Sequence, residues 1–460
     1  MHRLVGMQRA CALLLFAGLA WGAISCPPSD TSQTPAQQFA KYASQAQQAF
    51  QANDYAKAAA SFRNALCFAP ENGSLYYGLG LAEAAASHFD RARDALIHAR
   101  RLSPGEPRVL LSLAQVNASA GNFDESIANL AQLDQLAPEH QQREQRQTAI
   151  ELRAQLGQAL LAQNRFDLAL AQFLRIKQTG MSDPAILLTL ATLENNLGAY
   201  ADAERDANAA FAGTANREQR STAAVIAGLA YKNEKKNDDA VRSLRASIDL
   251  AASEIACLAL TEIFETSAEA AKAIEVSQSC SAVLPQSAAI AIALGRNLVN
   301  AGRHEQAATV LQNVTHNAPD QPEGWRWLAQ AETLLGDYPK AIAALQQLAR
   351  AAPGYPMVDS MLAQAVLKAD PPNYEEAIQH LSRAAQATPS DSDVFFMLGR
   401  TYFSMGRYAE SADNLREAIQ LGSNSSLVYY QLGRALEKLG REAEAKQQFE
   451  TVRLLKSIGQ

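Results

Sequence analysis

The sequence predicts an all-α protein, a right-handed superhelical solenoid of about twelve antiparallel helix pairs. Pro70, Pro104 and Pro138 lie 34 residues apart, and a similar apolar skeleton precedes each of them. A repeat of this length is one small unit that buries its apolar face only by stacking on its neighbours. Ala is abundant and runs of β-branched residues are few, which favours helix along the whole chain.

Composition sets limits on the function. The 460 residues include 41 basic and 47 acidic side chains, so the formal net charge is −6. This imbalance is mild and no basic stripe occurs, which argues against a nucleic-acid partner. A repeat array also grows by adding units, so the chain length does not imply several globular domains.

The N-terminus carries an export pattern. Arg3 and Arg9 precede an apolar run at residues 10–24, which ends in small residues. A basic start and a short apolar core predict a signal peptide over residues 1–25, too short for an ordinary membrane-spanning helix. Residues 26–38 are rich in Pro, Ser, Thr and Gln, and we interpret them as a flexible tether.

The residues before Cys26 resemble a bacterial lipobox, whose cysteine becomes the lipidated first residue. Ala23 stands where that motif usually has Leu, and the sequence from Ala23 to Ser25 also suits an ordinary signal peptidase. We favour lipidation at Cys26 and keep simple cleavage as the alternative. The predicted location is therefore the periplasm or, through a lipid anchor, the outer membrane of a bacterial envelope, with secretion as the alternative.

Five cysteines occur, and Cys11 and Cys26 belong to the export region. The other three, Cys67, Cys257 and Cys280, are odd in number and lack CxxC spacing. This argues against a disulfide framework or a zinc site. Cys257 and Cys280 fall on the two helices of one repeat and could meet, but we expect small buried residues there.

Each repeat contains two apolar-periodic segments separated by a short turn. In the repeat that begins near residue 391, spacings of three and four place the apolar residues on one face of each helix. The residues in question are Val394, Leu398 and Tyr402, and then Ser411, Leu415 and Ala418. Gly406 ends the first helix, because glycine takes the left-handed terminal conformation without strain.

This pattern resembles the tetratricopeptide repeat, an antiparallel helix pair whose copies stack into a right-handed superhelix. One matching repeat shows Tyr76, Leu79, Gly80, Phe89, Ala92, Leu96, Ala99 and Pro104. Another shows Trp325, Leu328, Ala329, Gly336, Tyr338, Ala341, Leu345 and Pro353. We assign repeats 1 to 12, which begin near residues 39, 73, 107, 150, 184, 221, 254, 288, 322, 356, 392 and 426.

Departures from the pattern predict local features. The insert between Gln141 and Ala149 consists of good helix formers, so the first helix of repeat 4 should start early. Repeats 6 and 7 are degenerate, with Lys235 and Ala268 where glycine is usual. We therefore expect a softer joint there, between an N-terminal array at 39–253 and a C-terminal array at 254–460.

The resemblance implies that the first helix of each repeat lines a concave groove that holds a partner. In repeats 2 to 7 the groove positions are largely apolar, and stacking could cover them. In repeats 8 to 12 they become Arg, Gln and aromatic. The candidate partner-binding residues are Arg296, Arg326, Gln330, Gln364, Phe396, Arg400, Phe403, Tyr430 and Arg434.

Arginine among aromatic side chains suits an acidic peptide or an anionic glycan. The alternative is that these arginines pair with neighbouring acids such as Glu332 or Glu437. No catalytic motif, cofactor motif or metal-ligand spacing is present in the sequence, so we do not expect an enzyme.

We therefore expect an exported scaffold that captures a peptide or protein in its groove. One alternative is an accessory factor for polysaccharide export or outer-membrane assembly. The other is a self-associating structural protein.

Overall fold

The computed structural model describes residues 26–28, 32–136 and 142–457. The predicted signal peptide at 1–25 lies outside the described residues. Within the described ranges all regular structure is helical, and 24 helices form twelve consecutive pairs. The predicted all-α array of helix pairs is confirmed.

The chain forms two compact bodies with a boundary between Met181 and Ser182. The first body contains α1 (Pro35–Gln51), α2 (Tyr55–Leu66), α3 (Gly73–Ala85), α4 (Phe89–Leu102), α5 (Pro107–Ser119), α6 (Phe123–Asp134), α7 (Arg143–Ala162) and α8 (Phe166–Gln178). The second body begins with α9 (Pro184–Asn196), α10 (Tyr200–Gly213), α11 (Arg217–Asn233), α12 (Asn237–Leu250), α13 (Glu254–Thr266), α14 (Ala270–Val283), α15 (Ala288–Asn300) and α16 (His304–Asn317). It continues with α17 (Pro322–Leu335), α18 (Tyr338–Ala351), α19 (Val358–Lys368), α20 (Tyr374–Ala387), α21 (Ser392–Ser404), α22 (Tyr408–Gln420), α23 (Ser426–Lys438) and α24 (Glu442–Ser457).

The softer joint that the sequence suggests at 253/254 lies within the second body and stays a prediction. Repeats 6 and 7 share one apolar cluster, in which Leu244 of α12 and Leu260 and Phe264 of α13 are all buried. Burial of this kind stabilises a repeat interface in proportion to the apolar area removed from water. The degenerate turns of these repeats therefore do not interrupt the core.

The start of the array also differs in detail from the expectation. Helix α1 begins at Pro35, so the last four residues of the segment interpreted as a tether are helical. Thr34 caps this helix by accepting a hydrogen bond from the Gln37 amide, and the Gln37 side chain reciprocates in a capping box. The early start of the first helix of repeat 4 is confirmed, because α7 begins at Arg143, about two turns before residue 150.

Two disulfides contradict the expectation that no disulfide framework exists. Cys257 of α13 bonds Cys280 of α14 at 2.02 Å, and both residues are about 1% exposed. Cys26 bonds Cys67, which caps the C-terminus of α2. The expectation was wrong because it treats Cys26 only as part of the export region. Cys67 is then left without a possible partner.

The turns of repeats 6 and 7 adopt a left-handed conformation without glycine. Lys235 has φ 62° and Ala268 has φ 57°, close to the φ 80° of Gly336 at the equivalent turn of repeat 9. An L-residue in this conformation is strained by about 1–2 kcal/mol because its Cβ crowds the following carbonyl. The degenerate repeats therefore keep the turn geometry at an energetic cost.

A buried arginine joins repeats 3 and 4 at the insert. Arg153 of α7 is 5% exposed and its Nη1 donates to the Gln172 side chain at 2.9 Å. Its Nη2 donates to both carboxylate oxygens of Asp134 at 2.8 Å and to the Leu130 carbonyl at 3.2 Å. Burial lowers the pKa of Arg153, and the Asp134 carboxylate opposes that shift. The guanidinium thus ties α6, α7 and α8 together.

We expect Ala268→Gly to raise the stability of the second body by about 1 kcal/mol, because glycine relieves the left-handed strain. The midpoint of urea unfolding, followed by helix signal, measures the effect. Ala301→Gly is the matched control, since Ala301 has φ −85° and ψ 4° and carries no such strain. The control should lose stability, and a gain in both variants would refute the strain argument.

Replacement of Arg153 by Ala should lower the stability of the first body by about 3 kcal/mol, because Asp134 and Gln172 lose a buried partner. Urea unfolding of the full chain again provides the measurement. Arg175→Ala is the control, because its guanidinium approaches the same Asp134 carboxylate at 3.8 Å but is 57% exposed. That variant should change stability by less than about 1 kcal/mol. Equal effects of the two substitutions would show that burial of Arg153 contributes nothing.

Candidate functional site

The first helices of successive repeats lie side by side. In the second body α9 contacts α11, α11 contacts α13, α13 contacts α15, α15 contacts α17, and α21 contacts α23. The surface formed by these helices is called the first-helix face below. All nine candidate residues lie on first helices of the second body, from Arg296 on α15 to Arg434 on α23.

Two of the four candidate arginines are bonded to acids of the same face. Arg296 donates through Nη2 to both carboxylate oxygens of Glu265, at 2.7 and 2.9 Å. Arg326 donates to Glu323 at 3.4 Å, and its guanidinium lies 4.4 Å from the Trp327 ring centroid. The alternative of internal pairing therefore holds for these two arginines.

The acidic partners differ from those that the sequence suggested. Glu332, named as a partner, is 2% exposed and accepts a hydrogen bond from the Gln312 side chain at 3.0 Å. Glu265 lies one repeat before Arg296, 31 residues away in sequence. Only the stacking of repeats brings such groups together, and neighbouring sequence could not reveal them.

The other two arginines lie against aromatic rings. The Arg434 guanidinium is 4.6 Å from the Phe403 ring centroid and 5.9 Å from that of Tyr430. The Arg400 guanidinium is 5.6 Å from the Phe396 centroid. In the described part of the chain no carboxylate lies within 4.0 Å of either guanidinium. We call these five residues the Arg–aromatic cluster.

Helical spacing positions the Arg–aromatic cluster. Phe396, Arg400 and Phe403 occupy one face of α21, and Tyr430 and Arg434 lie one turn apart on the adjacent α23. Phe396 and Phe403 pack against a buried apolar cluster that joins repeats 11 and 12, while Tyr430 is 43% exposed. The rings are thus fixed from behind and present π faces to the guanidinium groups, which keep their N–H donors available.

The two glutamines do not join this cluster. Gln330 is half-buried on α17, and Gln364 is exposed on α19. Among the described residues no hydrogen bond connects either amide to the five cluster residues. The structure therefore groups five of the nine candidates and separates the remaining four.

The apolar groove positions of repeats 2 to 7 are mostly covered. Leu111 is 6% and Val225 is 8% exposed, while Tyr77 and Leu229 are half-buried. Arg108 lies over the Tyr77 ring with its guanidinium 5.0 Å from the centroid. Stacking of the repeats accounts for these apolar residues, as the alternative interpretation proposed.

A cleft in the first body was not foreseen. It has a volume of about 450 Å³ and lies between α5 and α7, where the insert separates repeats 3 and 4. Phe123, Leu152 and Leu156 form its apolar floor, and Glu151 and Gln155 lie at its rim. The early start of α7 is the sequence signal that could have indicated it.

The described ranges lack both a metal-binding cluster and a membrane-spanning helix. Residues 26–28, 32–136 and 142–457 contain no group of three His, Cys, Asp or Glu side chains that could hold a metal ion. None of the helices in those ranges combines the length and apolar character needed to cross a bilayer.

Comparison with known proteins identifies the repeat class. Tetratricopeptide-repeat family models match residues 49–116, 292–356, 399–440 and 427–454. Together with the twelve helix pairs, these matches show that the chain is a tetratricopeptide-repeat protein. Repeats of this class form protein-interaction scaffolds, and four of the five residues of the Arg–aromatic cluster, all except Phe396, lie within the stretch matched at 399–440.

Several solved structures are similar to parts or most of the chain. MamA from Desulfovibrio magneticus RS-1 is 20% identical, with 37% of this chain and 96% of that chain covered and a TM-score of 0.36. The Naa15/Naa10 complex bound to HypK-THB is 12% identical, with 90% and 68% covered and a TM-score of 0.47. The Cut9–Hcn1 hetero-tetramer of APC/C is 14% identical, with 92% and 88% covered and a TM-score of 0.34. No curated protein sequence matches the chain.

Proposed function

We propose that this protein is an exported scaffold that captures an acidic segment of a partner protein at the Arg–aromatic cluster. The observation that carries the proposal is the contrast among the four candidate arginines. Arg296 and Arg326 already donate to the carboxylates of Glu265 and Glu323, and Arg326 also lies over Trp327, whereas Arg400 and Arg434 rest on aromatic rings without a carboxylate partner in the described chain. Two preorganised cations in one patch favour an anionic ligand.

The geometry supports recognition of a carboxylate next to an apolar side chain. A guanidinium stacked on a ring keeps its edge free to donate two parallel hydrogen bonds to a carboxylate. The exposed part of Tyr430 lies beside Arg434 and offers an apolar surface with a hydroxyl group at its end. A partner segment with an acidic residue and a nearby apolar or aromatic residue would use both features.

The overall negative charge of the protein favours binding of an acidic segment at the Arg–aromatic cluster over binding elsewhere on the surface. The chain carries −6 in total, and −8 without residues 1–25, which hold two arginines and no acid. A local cationic patch on an acidic protein attracts an acidic segment only at that patch, because the remaining surface repels it. Orientation of the bound segment is thereby restricted.

Export is supported by two independent features. The first is the basic and apolar N-terminal pattern at residues 1–25. The second is the pairing of all four described cysteines in disulfides, which form and persist in oxidising compartments such as the periplasm. Both features favour an envelope or extracellular location.

We expect the double variant Arg400→Gln/Arg434→Gln to lose about 30- to 1,000-fold in affinity for its partner, because two charged hydrogen bonds are lost and each contributes about 1–2 kcal/mol. Crosslinking in the native envelope identifies the bound segment, and calorimetric titration of a synthetic peptide with that sequence measures the affinity. Wild-type affinity should also fall as salt increases, since the patch is solvent-accessible.

The matched control is Arg296→Gln/Arg326→Gln, which removes two arginines that already have acidic partners. Its affinity should remain within about threefold of wild type, because both arginines lie outside the Arg–aromatic cluster and already donate to carboxylates of this chain. Equal losses in both double variants, or no loss in either, would refute the proposal. Binding of an oligomer of uronic acids, but of no peptide, would instead assign the cluster to an anionic glycan.

A further inference from the structure

The disulfide between Cys26 and Cys67 bears on how the mature protein begins. Cys26 is exposed, and its sulfur is bonded to that of Cys67 across 41 residues of sequence, with the two Cα atoms 5.8 Å apart. Cys26 is also the residue on which the lipidation hypothesis depends. Lipidation of a cysteine forms a thioether on the same sulfur atom that a disulfide uses.

We propose that the Cys26 sulfur of the mature protein is held in the disulfide with Cys67, so that Cys26 carries no lipid thioether. A sulfur in a disulfide has no thiolate to attack a lipid carbon, and therefore the two fates exclude each other in one molecule. The N-terminal end of the mature chain is then fixed to its own first repeat instead of a membrane. This inference is independent of the proposed ligand at the Arg–aromatic cluster.

The position of Cys67 suits this role. Its backbone N–H donates to carbonyls of the last turn of α2, and its thiol sulfur lies 3.6 Å from the Arg63 carbonyl oxygen. The neighbouring Phe68 stacks on Tyr42 of α1, with ring centroids 6.0 Å apart and planes 9° from parallel. The cysteine is thus presented from a rigid helix end at the start of the array.

The start of α1 is fixed as well. Besides the Thr34 cap, the buried side chain of Gln38 donates to the Gln33 carbonyl at 3.1 Å. The segment between Cys26 and Pro35 is therefore attached at both ends, by a covalent bond and by a capped helix. This arrangement would pin the segment that the sequence suggested as a tether between membrane and array.

Formation of the Cys26–Cys67 disulfide is a two-electron oxidation of two thiols. Two thiols, on Cys26 and Cys67, lose two protons and two electrons and gain one sulfur–sulfur bond. A disulfide-carrying oxidant protein of the export compartment accepts the electrons by thiol–disulfide exchange, and its own disulfide becomes two thiols. The step requires that the Cys26 sulfur is still an unmodified thiol when the disulfide forms.

Accessibility separates this disulfide from the other one. Cys26 is exposed and Cys67 half-buried, whereas Cys257 and Cys280 are each about 1% exposed. A mild reductant should therefore open the Cys26–Cys67 bond in the folded protein and leave the Cys257–Cys280 bond intact. The chain thus contains its own internal control.

The full chain, expressed with its N-terminal segment in a bacterium with an outer membrane, tests the proposal. Free thiols are blocked with N-ethylmaleimide during lysis, and the protein is digested without reductant for mass spectrometry. The expected result is a crosslinked pair of peptides containing Cys26 and Cys67, and protein in the soluble fraction. A diacylglyceryl group on Cys26 together with a maleimide on Cys67 would overturn the proposal.

Two further measurements keep the test independent of folding. In the native protein, a brief treatment with a mild phosphine reductant and then maleimide should label Cys26 and Cys67 but not Cys257 or Cys280. Labelling of all four, or of the buried pair first, would overturn the assignment.

In Cys67→Ser, with helix content unchanged by circular dichroism, Cys26 should lose its disulfide. In Cys257→Ser/Cys280→Ser, the Cys26–Cys67 peptide pair should persist.

Discussion

The close approach of the two helices in each pair is the constraint on which the rest of the structure depends. At Gly399 of α21, a Cβ atom would lie 2.6 Å from Cγ of Leu415 on α22, so no larger residue fits without displacement. Gly228 and Gly295 meet Leu244 and Leu311 in the same way at 2.7 and 2.5 Å. This contact sets the spacing of the pair, and that spacing allows successive first helices to touch. The first-helix face, and every candidate residue on it, follows from this contact.

Two carboxylates buried between repeats bond to side chains from the preceding repeat. Glu83, 2% exposed, pairs with Arg63 of the repeat before it, and Glu332 accepts from Gln312 in the equivalent way. Arg153 likewise bonds to Asp134 of the preceding repeat, and also to Gln172, where the insert interrupts the regular spacing of the repeats. A buried charge without a partner would cost several kcal/mol, so these pairs also favour one register of stacking over others. The order of the repeats is thus specified by polar contacts as well as by apolar burial.

The same stacking gives the arginines of the first-helix face their different properties. Where the preceding repeat supplies an acid, as Glu265 does for Arg296, the guanidinium is neutralised in place. Where it supplies a ring, as Phe403 does for Arg434, the guanidinium is oriented but keeps its charge and its donors. One residue type therefore forms an ion pair within the face in one repeat and lies on a ring without such a pair in another. For Arg296 and Arg434, the residue contributed by the preceding repeat makes this difference.

The sequence by itself determined the repeat, the helix pairs and the residues that form each buried face, because these depend on spacings within about 34 residues. It also indicated the region of the candidate site, since Arg400 and Arg434 fall at the groove positions that the resemblance to the tetratricopeptide repeat implies. Only the tertiary structure decided which arginines are available, which cysteines are bonded and where the compact bodies divide. Those outcomes depend on pairs such as Arg296 with Glu265 and Cys26 with Cys67, which are separated by 31 and 41 residues and meet only in the folded chain. Local periodicity carries no information about such pairs, because it specifies which face a side chain occupies and not what lies opposite.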